Sequence, residues 1–267
     1  MNIVKALVEL IRIAETTLPD DVKKILKKSY RSEKNEIAKM QLRNILENIK
    51  IAEEESIPIC QDTGILTFYV SSSLGNLDKE IKEATKIATE EIPLRPNMVL
   101  FDKRKNIGNA DTYIPIIRYE NRTHNEITVL VKGAGSENKT KLRMLEPSAE
   151  VEEIKNIIVK DATHSYEACP PLFVGVGIGG DSSFSVELSK KALLREAGKM
   201  DRFERDVLER INKSNVGPMG LGGDTTALSV FTFKAPMHTA TLPLAISINC
   251  WALRRATLIV DEGRYIC

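Results

Sequence analysis

The sequence predicts a mixed α/β fold of α+β type, with a helical N-terminal segment and helices covering a sheet. Three observations carry this. The first 55 residues repeat apolar side chains at three- and four-residue spacing, as amphipathic helices do. Short apolar runs rich in β-branched and aromatic residues, "ILTFYV" and "PLFVGV" among them, punctuate the middle. The last third is mostly strand-like, so helices come first and strands are interspersed later. At 267 residues the chain fits one large domain or two lobes sharing a core. No low-complexity linker divides it, so residues 1–267 are taken together.

Helical periodicity predicts helices over 2–15, 19–31 and 33–54, and Asp20 is a start signal for the second. A strand over 65–71 follows, then a charged helix over 77–91 that Pro93 and Pro96 of "IPLRPN" break. Strands are predicted over 112–119 and 126–132, the latter running into "KGAGSENKTKL". A helix near 150–162 leads to "SYEACPPLFVGVGIGGD", in which "PLFVGV" reads as a buried strand. Helices over 183–197 and 201–213 come next. "TTALSVFTF", "LPLAISINC" and "RRATLIV" then read as strands.

Composition narrows the function classes. Hydrophobic residues make up 42% and charged residues 28%, ordinary for a globular protein. The net charge is +1 with the two signs well mixed, which leaves no electrostatic footprint for nucleic acid. Apolar stretches fall far short of the roughly 20 residues of a transmembrane helix. "MNIVKALVELIRIAE" alternates charge with apolar residues and reads as an amphipathic helix, not a signal peptide. A cytoplasmic address is expected, where thiols stay reduced.

The four cysteines are Cys60, Cys169, Cys250 and Cys267. None forms a C-x-x-C pair, which excludes zinc ribbons, thioredoxin-type motifs and ferredoxin-type runs. By themselves they could be unrelated buried thiols. Their neighbours say more: Cys60 adjoins Gln61 and Asp62, Cys169 adjoins Pro170 and Pro171, and Cys250 sits in "SINCWALRR". Each occupies a turn at the end of a predicted strand. Three cysteines with no fourth nearby suit an iron–sulfur cluster that leaves one iron open to act as a Lewis acid. A three-cysteine zinc site is the other option, with His238 expected as a ligand. Electron transfer would call for a closed, four-ligand cluster.

The glycines offer a competing reading. "GVGIGG", Gly175 to Gly180, satisfies G-x-G-x-x-G after a strand and before a helix. The dinucleotide fingerprint also needs a second strand after that helix, and here a helix follows instead. "GIGGDSS" and "GLGGDTT" echo one another. They are either tight turns needing positive φ or turns that bring amides close to an anion or a cluster. In "KGAGSENKTKL", Gly133 and Gly135 stand beside Ser136, Asn138, Lys139 and Thr140, a density of donors suited to an anionic ligand.

"PICQDTG", "LRPN", "KGAGSENKT", "EACPP", "GVGIGGD", "GPMGLGGDTT" and "HTATLPLAISINCWALRR" together, and in this order, resemble the N-terminal region, or separate alpha subunit, of class I fumarate hydratases. The L-tartrate dehydratase alpha subunit shares the pattern. The resemblance runs from about residue 5 to 262. It implies an oxygen-sensitive 4Fe–4S hydro-lyase interconverting fumarate and (S)-malate, a reaction of the tricarboxylic acid cycle, with L-tartrate dehydration as the alternative. It implies Cys60, Cys169 and Cys250 as cluster ligands. It further implies substrate contacts from Gln61, Asp62, Arg95, Gly135, Asn138, Lys139, Thr140 and His238, with Asp62 and His238 as the catalytic candidates. His124, His164 and Cys267 match nothing, and Cys267 is expected to be a spare thiol.

Single-chain members of that family continue into a further domain bearing a catalytic threonine, more arginines and a lysine. This chain lacks that domain, so the resemblance implies a beta subunit that completes the site in a hetero-oligomer such as α2β2. Two readings from other classes stay open: a non-catalytic iron–sulfur sensor, and a nucleotide-binding oxidoreductase resting on Gly175 to Gly180.

Overall fold

The computed structural model describes residues 2–261 and 264–266. The helices are α1 (Ile3–Thr16), α2 (Asp20–Ser32), α3 (Glu36–Glu55), α4 (Asp78–Glu91), α5 (Ala134–Glu137), α6 (Val151–Thr163), α7 (Ser182–Ala192) and α8 (Arg202–Asn212). The strands are β1 (Ile65–Ser71), β2 (Met98–Val99), β3 (Asn106–Gly108), β4 (Ile116–Glu120), β5 (Glu126–Lys132), β6 (Lys141–Leu145), β7 (Leu172–Gly180), β8 (Ala227–Met237), β9 (Leu242–Asn249), β10 (Arg254–Asp261) and β11 (Arg264–Ile266). The mixed α/β class stands. The chain divides into two compact units. The described residues of unit 1 lie within Met1–Pro19, Asn48–Ala134 and Arg254–Cys267; unit 2 comprises Asp20–Glu47 and Gly135–Leu253.

Unit 1 is built on a sheet of order β11-β10-β5-β1-β4, in which only the β1–β4 pairing is parallel. The side chain of Asn2 caps α1 by accepting from Lys5 N at 2.9 Å. The apolar stripe of α1 (Leu7, Leu10, Ile11, Ala14) packs with Ile81, Ala84 and Ala88 of α4 on the sheet residues Phe68, Val70, Val129 and Val131.

Unit 2 is built on a sheet of order β6-β9-β7-β8, with β7–β8 parallel and the other pairings antiparallel. Alternate residues of β7 face opposite sides. Val174 and Val176 pack with Ile154 and Ile158 of α6 and Val207 and Ile211 of α8. Gly175 and Gly177 face α7, where an added Cβ would stand 2.1 Å from the carbonyl oxygen of Ser189 and 2.0 Å from that of Ser185. The "GVGIGG" run therefore lets a helix lie directly on a strand. No strand intervenes between α7 and α8, so the dinucleotide context is absent there.

Several boundaries differ from expectation. The helix expected over 183–197 stops at Ala192, and residues 193–195 continue as turns, with Leu193, Leu194 and Arg195 amides bonding carbonyls three residues back. The helix expected from 33 begins at Glu36, because the Asn35 side chain caps it by accepting from the amides of Ile37 and Ala38, each at 3.0 Å. Asp20 is the first residue of α2, within its first turn. The strand expected over 112–119 is β4 alone, Ile116–Glu120. The last-third strands appear as β8, β9 and β10.

The "GLGGDTT" turn closes on the protein's own anion. The buried carboxylate of Glu33 accepts from Asp224 N at 3.0 and 3.1 Å and from the Thr225 hydroxyl at 3.2 Å. No described helix is long and apolar enough to cross a membrane. Cys267 lies outside the described residues.

Candidate active site

In unit 1 the turn before β1 carries Cys60, Gln61 and Asp62. Gln61 is exposed, while Cys60 and Asp62 are half-buried. The carboxylate of Asp62 is committed to the backbone: Oδ1 accepts from Gly64 N at 2.9 Å, and Oδ2 from Ala134 N at 2.7 Å. Gly64 has φ +68°, and a Cβ there would meet the Lys132 carbonyl oxygen at 2.7 Å, so only glycine fits. The Thr63 hydroxyl accepts from Arg95 N and from Asn97 Nδ2, both at 3.1 Å, and Asn109 Nδ2 donates to the Arg95 carbonyl at 2.9 Å. These bonds stitch the "LRPN" segment to the cysteine turn and leave the Arg95 side chain exposed. Cys60, Gln61, Asp62 and Arg95 are thus gathered in one unit.

Beneath that turn lies a buried ion pair the sequence reading missed. Arg254 Nη1 donates to Glu15 Oε2 at 2.7 Å, with side-chain exposures of 2% and 0%. Burial pushes the Glu15 carboxyl up to about 7, against the pull of Arg254's charge and hydrogen bond, and the Asp62 charge adds to the rise. An arginine in "NCWALRR" and one of the two glutamates of an amphipathic helix carry no local pattern that would pair them.

In unit 2 the sheet brings two cysteines to the same end. Cys169 precedes β7 and Cys250 follows β9, and these strands are antiparallel neighbours with Phe173 opposite Asn249. Both cysteines therefore stand at one end of the sheet. Trp251 N donates to the Cys169 carbonyl at 3.3 Å, and Met219 N to the Pro170 carbonyl at 2.8 Å, tying three turns to one another. Cys169 is exposed and has φ +54°, the left-handed region. A non-glycine residue there costs on the order of 1–3 kcal/mol, and such strain gathers at functional sites. None of Cys60, Cys169 and Cys250 is in a disulfide.

The "KGAGSENKT" segment reaches the same end of the sheet. Ser136 Oγ accepts from Cys250 N at 3.1 Å, and Lys139 forms an ion pair with Glu167, two residues before Cys169. Gly135 and Asn138 are exposed, and Lys139 and Thr140 half-buried. The segment is not a plain loop: α5 occupies part of it, closed by Lys139 N donating to the Ser136 carbonyl at 3.1 Å.

His238 lies elsewhere. It sits in the turn between β8 and β9, where its Nδ1 accepts from Ala240 N at 3.1 Å. The eight residues of β9 separate that turn from Cys250. At about 3.3 Å per residue this is roughly 25 Å, so within unit 2 the structure does not bring His238 to the cysteine pair. His124 and His164 are exposed, the latter with Nδ1 2.7 Å from the Lys160 carbonyl.

The donor set fits an iron–sulfur cluster better than a single hard cation. Thiolates are soft ligands, and two cysteines, Cys169 and Cys250, stand at one end of the unit 2 sheet.

A sequence model of the fumarate hydratase (fumerase) family matches residues 4–259. A protein of Methanocaldococcus jannaschii provisionally named L(+)-tartrate dehydratase subunit alpha is 45% identical, the match covering 96% of each chain. The Escherichia coli L(+)-tartrate dehydratase subunit alpha is 33% identical over 92% of this chain and 86% of its own. A Geobacillus stearothermophilus protein, provisionally a class I fumarate hydratase, is 32% identical over 97% of this chain but only 55% of its own length. With nearly all its residues inside the family match, and the motif residues set on two scaffolds of turn and sheet end, this chain belongs to the fumarate hydratase family.

Proposed function

We propose that this chain is the alpha subunit of an iron–sulfur hydro-lyase that hydrates fumarate reversibly to (S)-malate, and that Cys60, Cys169 and Cys250 hold its 4Fe–4S cluster. The observation that carries the proposal is the placing of Cys169 and Cys250 at one sheet end, bridged by the Trp251-to-Cys169 hydrogen bond. When bound, the cluster supplies a Lewis-acidic iron able to polarise a substrate oxygen.

The chain's own residues supply binding and orientation. The exposed Arg95 guanidinium offers a planar fork for a substrate carboxylate. Gln61, exposed beside Cys60, offers an amide to the substrate's polar groups. Exposed backbone at Gly135, together with Asn138, Lys139 and Thr140, provides donors toward an anion. Asp62, with both carboxylate oxygens accepting amides, holds its charge in place and orients the base rather than taking the proton itself. His238, at the other end of its sheet, is left out of this set.

The general base and further carboxylate contacts come from a beta subunit. Two relatives named as alpha subunits match this chain over most of their length, while the class I relative extends well past the match. The names of the first two favour a second reading, dehydration of L-tartrate. Anaerobic co-expression with the partner subunit and assay on both substrates decides. Preference for fumarate and malate supports the first reading, preference for tartrate the second, and turnover of neither overturns both.

A further inference from the structure

Arg254 opens β10, and its guanidinium makes two hydrogen bonds that matter here, both within unit 1. Nη1 donates to Glu15 Oε2 at 2.7 Å, and Nη2 to the carbonyl oxygen of Asp62 at 2.9 Å. Glu15 closes the loop from the other side, because its backbone carbonyl accepts from Ile59 N at 2.9 Å. The segment carrying Cys60 and Gln61 is therefore fixed on both flanks, by the Glu15 backbone before Cys60 and by the Arg254 side chain after it. A fully buried ion pair is a poor device for stability alone, since desolvation offsets most of its attraction. Of the pair's side chains, Arg254 bonds the backbone of the Cys60–Asp62 turn directly and Glu15 holds the guanidinium that does so, which gives the pair a different use. A lysine could not serve, because a single ammonium cannot reproduce a fork that spans a carboxylate and a carbonyl.

We propose that Arg254 and Glu15 are positioning residues that hold the Cys60–Asp62 turn in the conformation from which Cys60 binds the cluster and Gln61 meets the substrate. This role presupposes the proposed function, in which Cys60 is a cluster ligand. The first variant is Arg254→Lys. The second is Glu15→Leu with Arg254→Met, which removes both charges so that neither is left buried and alone. Each is made in the full chain co-expressed with its partner subunit.

Hydrogen exchange by mass spectrometry on cluster-free protein reads the turn directly. Peptides covering 59–64 are expected to exchange at least about tenfold faster in both variants, with peptides covering β7 unchanged. Iron loss to a chelator from the loaded protein is expected to quicken by about tenfold, since supporting groups tune ligand affinity by factors of this order. Unchanged exchange over 59–64 in a folded double variant would overturn the proposal. Faster exchange with wild-type iron retention would also overturn it, by showing a turn held for something other than the cluster. Wild-type protein that takes up no cluster would sink the proposed function instead, and the exchange result would still decide whether the pair fixes the turn.

Discussion

Single residues explain most of what is specific here. Cys60, Cys169 and Cys250 each read as turn residues at a strand end, yet that Cys169 and Cys250 share one end of the unit 2 sheet came only from strand pairing. The predicted outcome is that serine at any one of the three abolishes the visible absorbance and iron content of the reconstituted chain, a hydroxyl being a poor substitute for a soft thiolate. A normal spectrum in one variant removes that cysteine from the ligand set. Gly64→Ala should destabilise unit 1 by about 1–3 kcal/mol, since the new Cβ meets a backbone carbonyl and the residue stays at positive φ. Denaturant unfolding measures this, and a loss below about 0.5 kcal/mol would show that the turn relaxes. Glu15 and Arg254 were not legible at all: nothing in a linear sequence says that a glutamate of the first helix meets an arginine more than two hundred residues later.

At the scale of elements, the sequence was read well where apolar periodicity was strong and poorly where charge intervened. "ILTFYV" and "LPLAISIN" are buried on nearly every residue and stand out as β1 and β9. β6, "KLRML", was missed because its charges resemble a loop. It is an edge strand whose Lys141 and Arg143 reach one acid on α6. That acid is Asp161. Burial alone would raise its pKa, but the hydrogen bonds and charges of Arg143 and Lys141 outweigh this and hold it below the ordinary value. A depressed folded pKa gives stability that is present above the unfolded value of about 3.9 and lost as pH falls through the folded one. Asp161→Asn should therefore lower stability by about 1–3 kcal/mol near neutrality, with the gap closing below about pH 4. Thermal melts of both proteins from pH 3 to 7 test this, and a gap that widens in acid would contradict it.

For the whole molecule, the fold class followed from the order of helices and strands, and the family from seven short motifs spread along the chain. Where the chain divides into two units did not follow, because it passes between them four times, once within α3, and without any linker of distinct composition. Nor did the placement of His238, which sits twelve residues before Cys250 in sequence but at the other end of the sheet. Sequence proximity along a strand carries no such information, since the turn before β9 and the end of β9 are separated by the strand's full length.

The central claim is that this chain carries every protein ligand of the cluster but not the whole active site. It is tested most directly by turnover of the anaerobically reconstituted chain, titrated with its partner subunit while iron content is followed. The account predicts a cluster in the isolated chain and little turnover. Activity should then rise on addition of the partner by about 10²–10⁴-fold, the usual contribution of a general base, and level off near equal stoichiometry. Full turnover of fumarate by the isolated, cluster-loaded chain would contradict it and place the base within these residues.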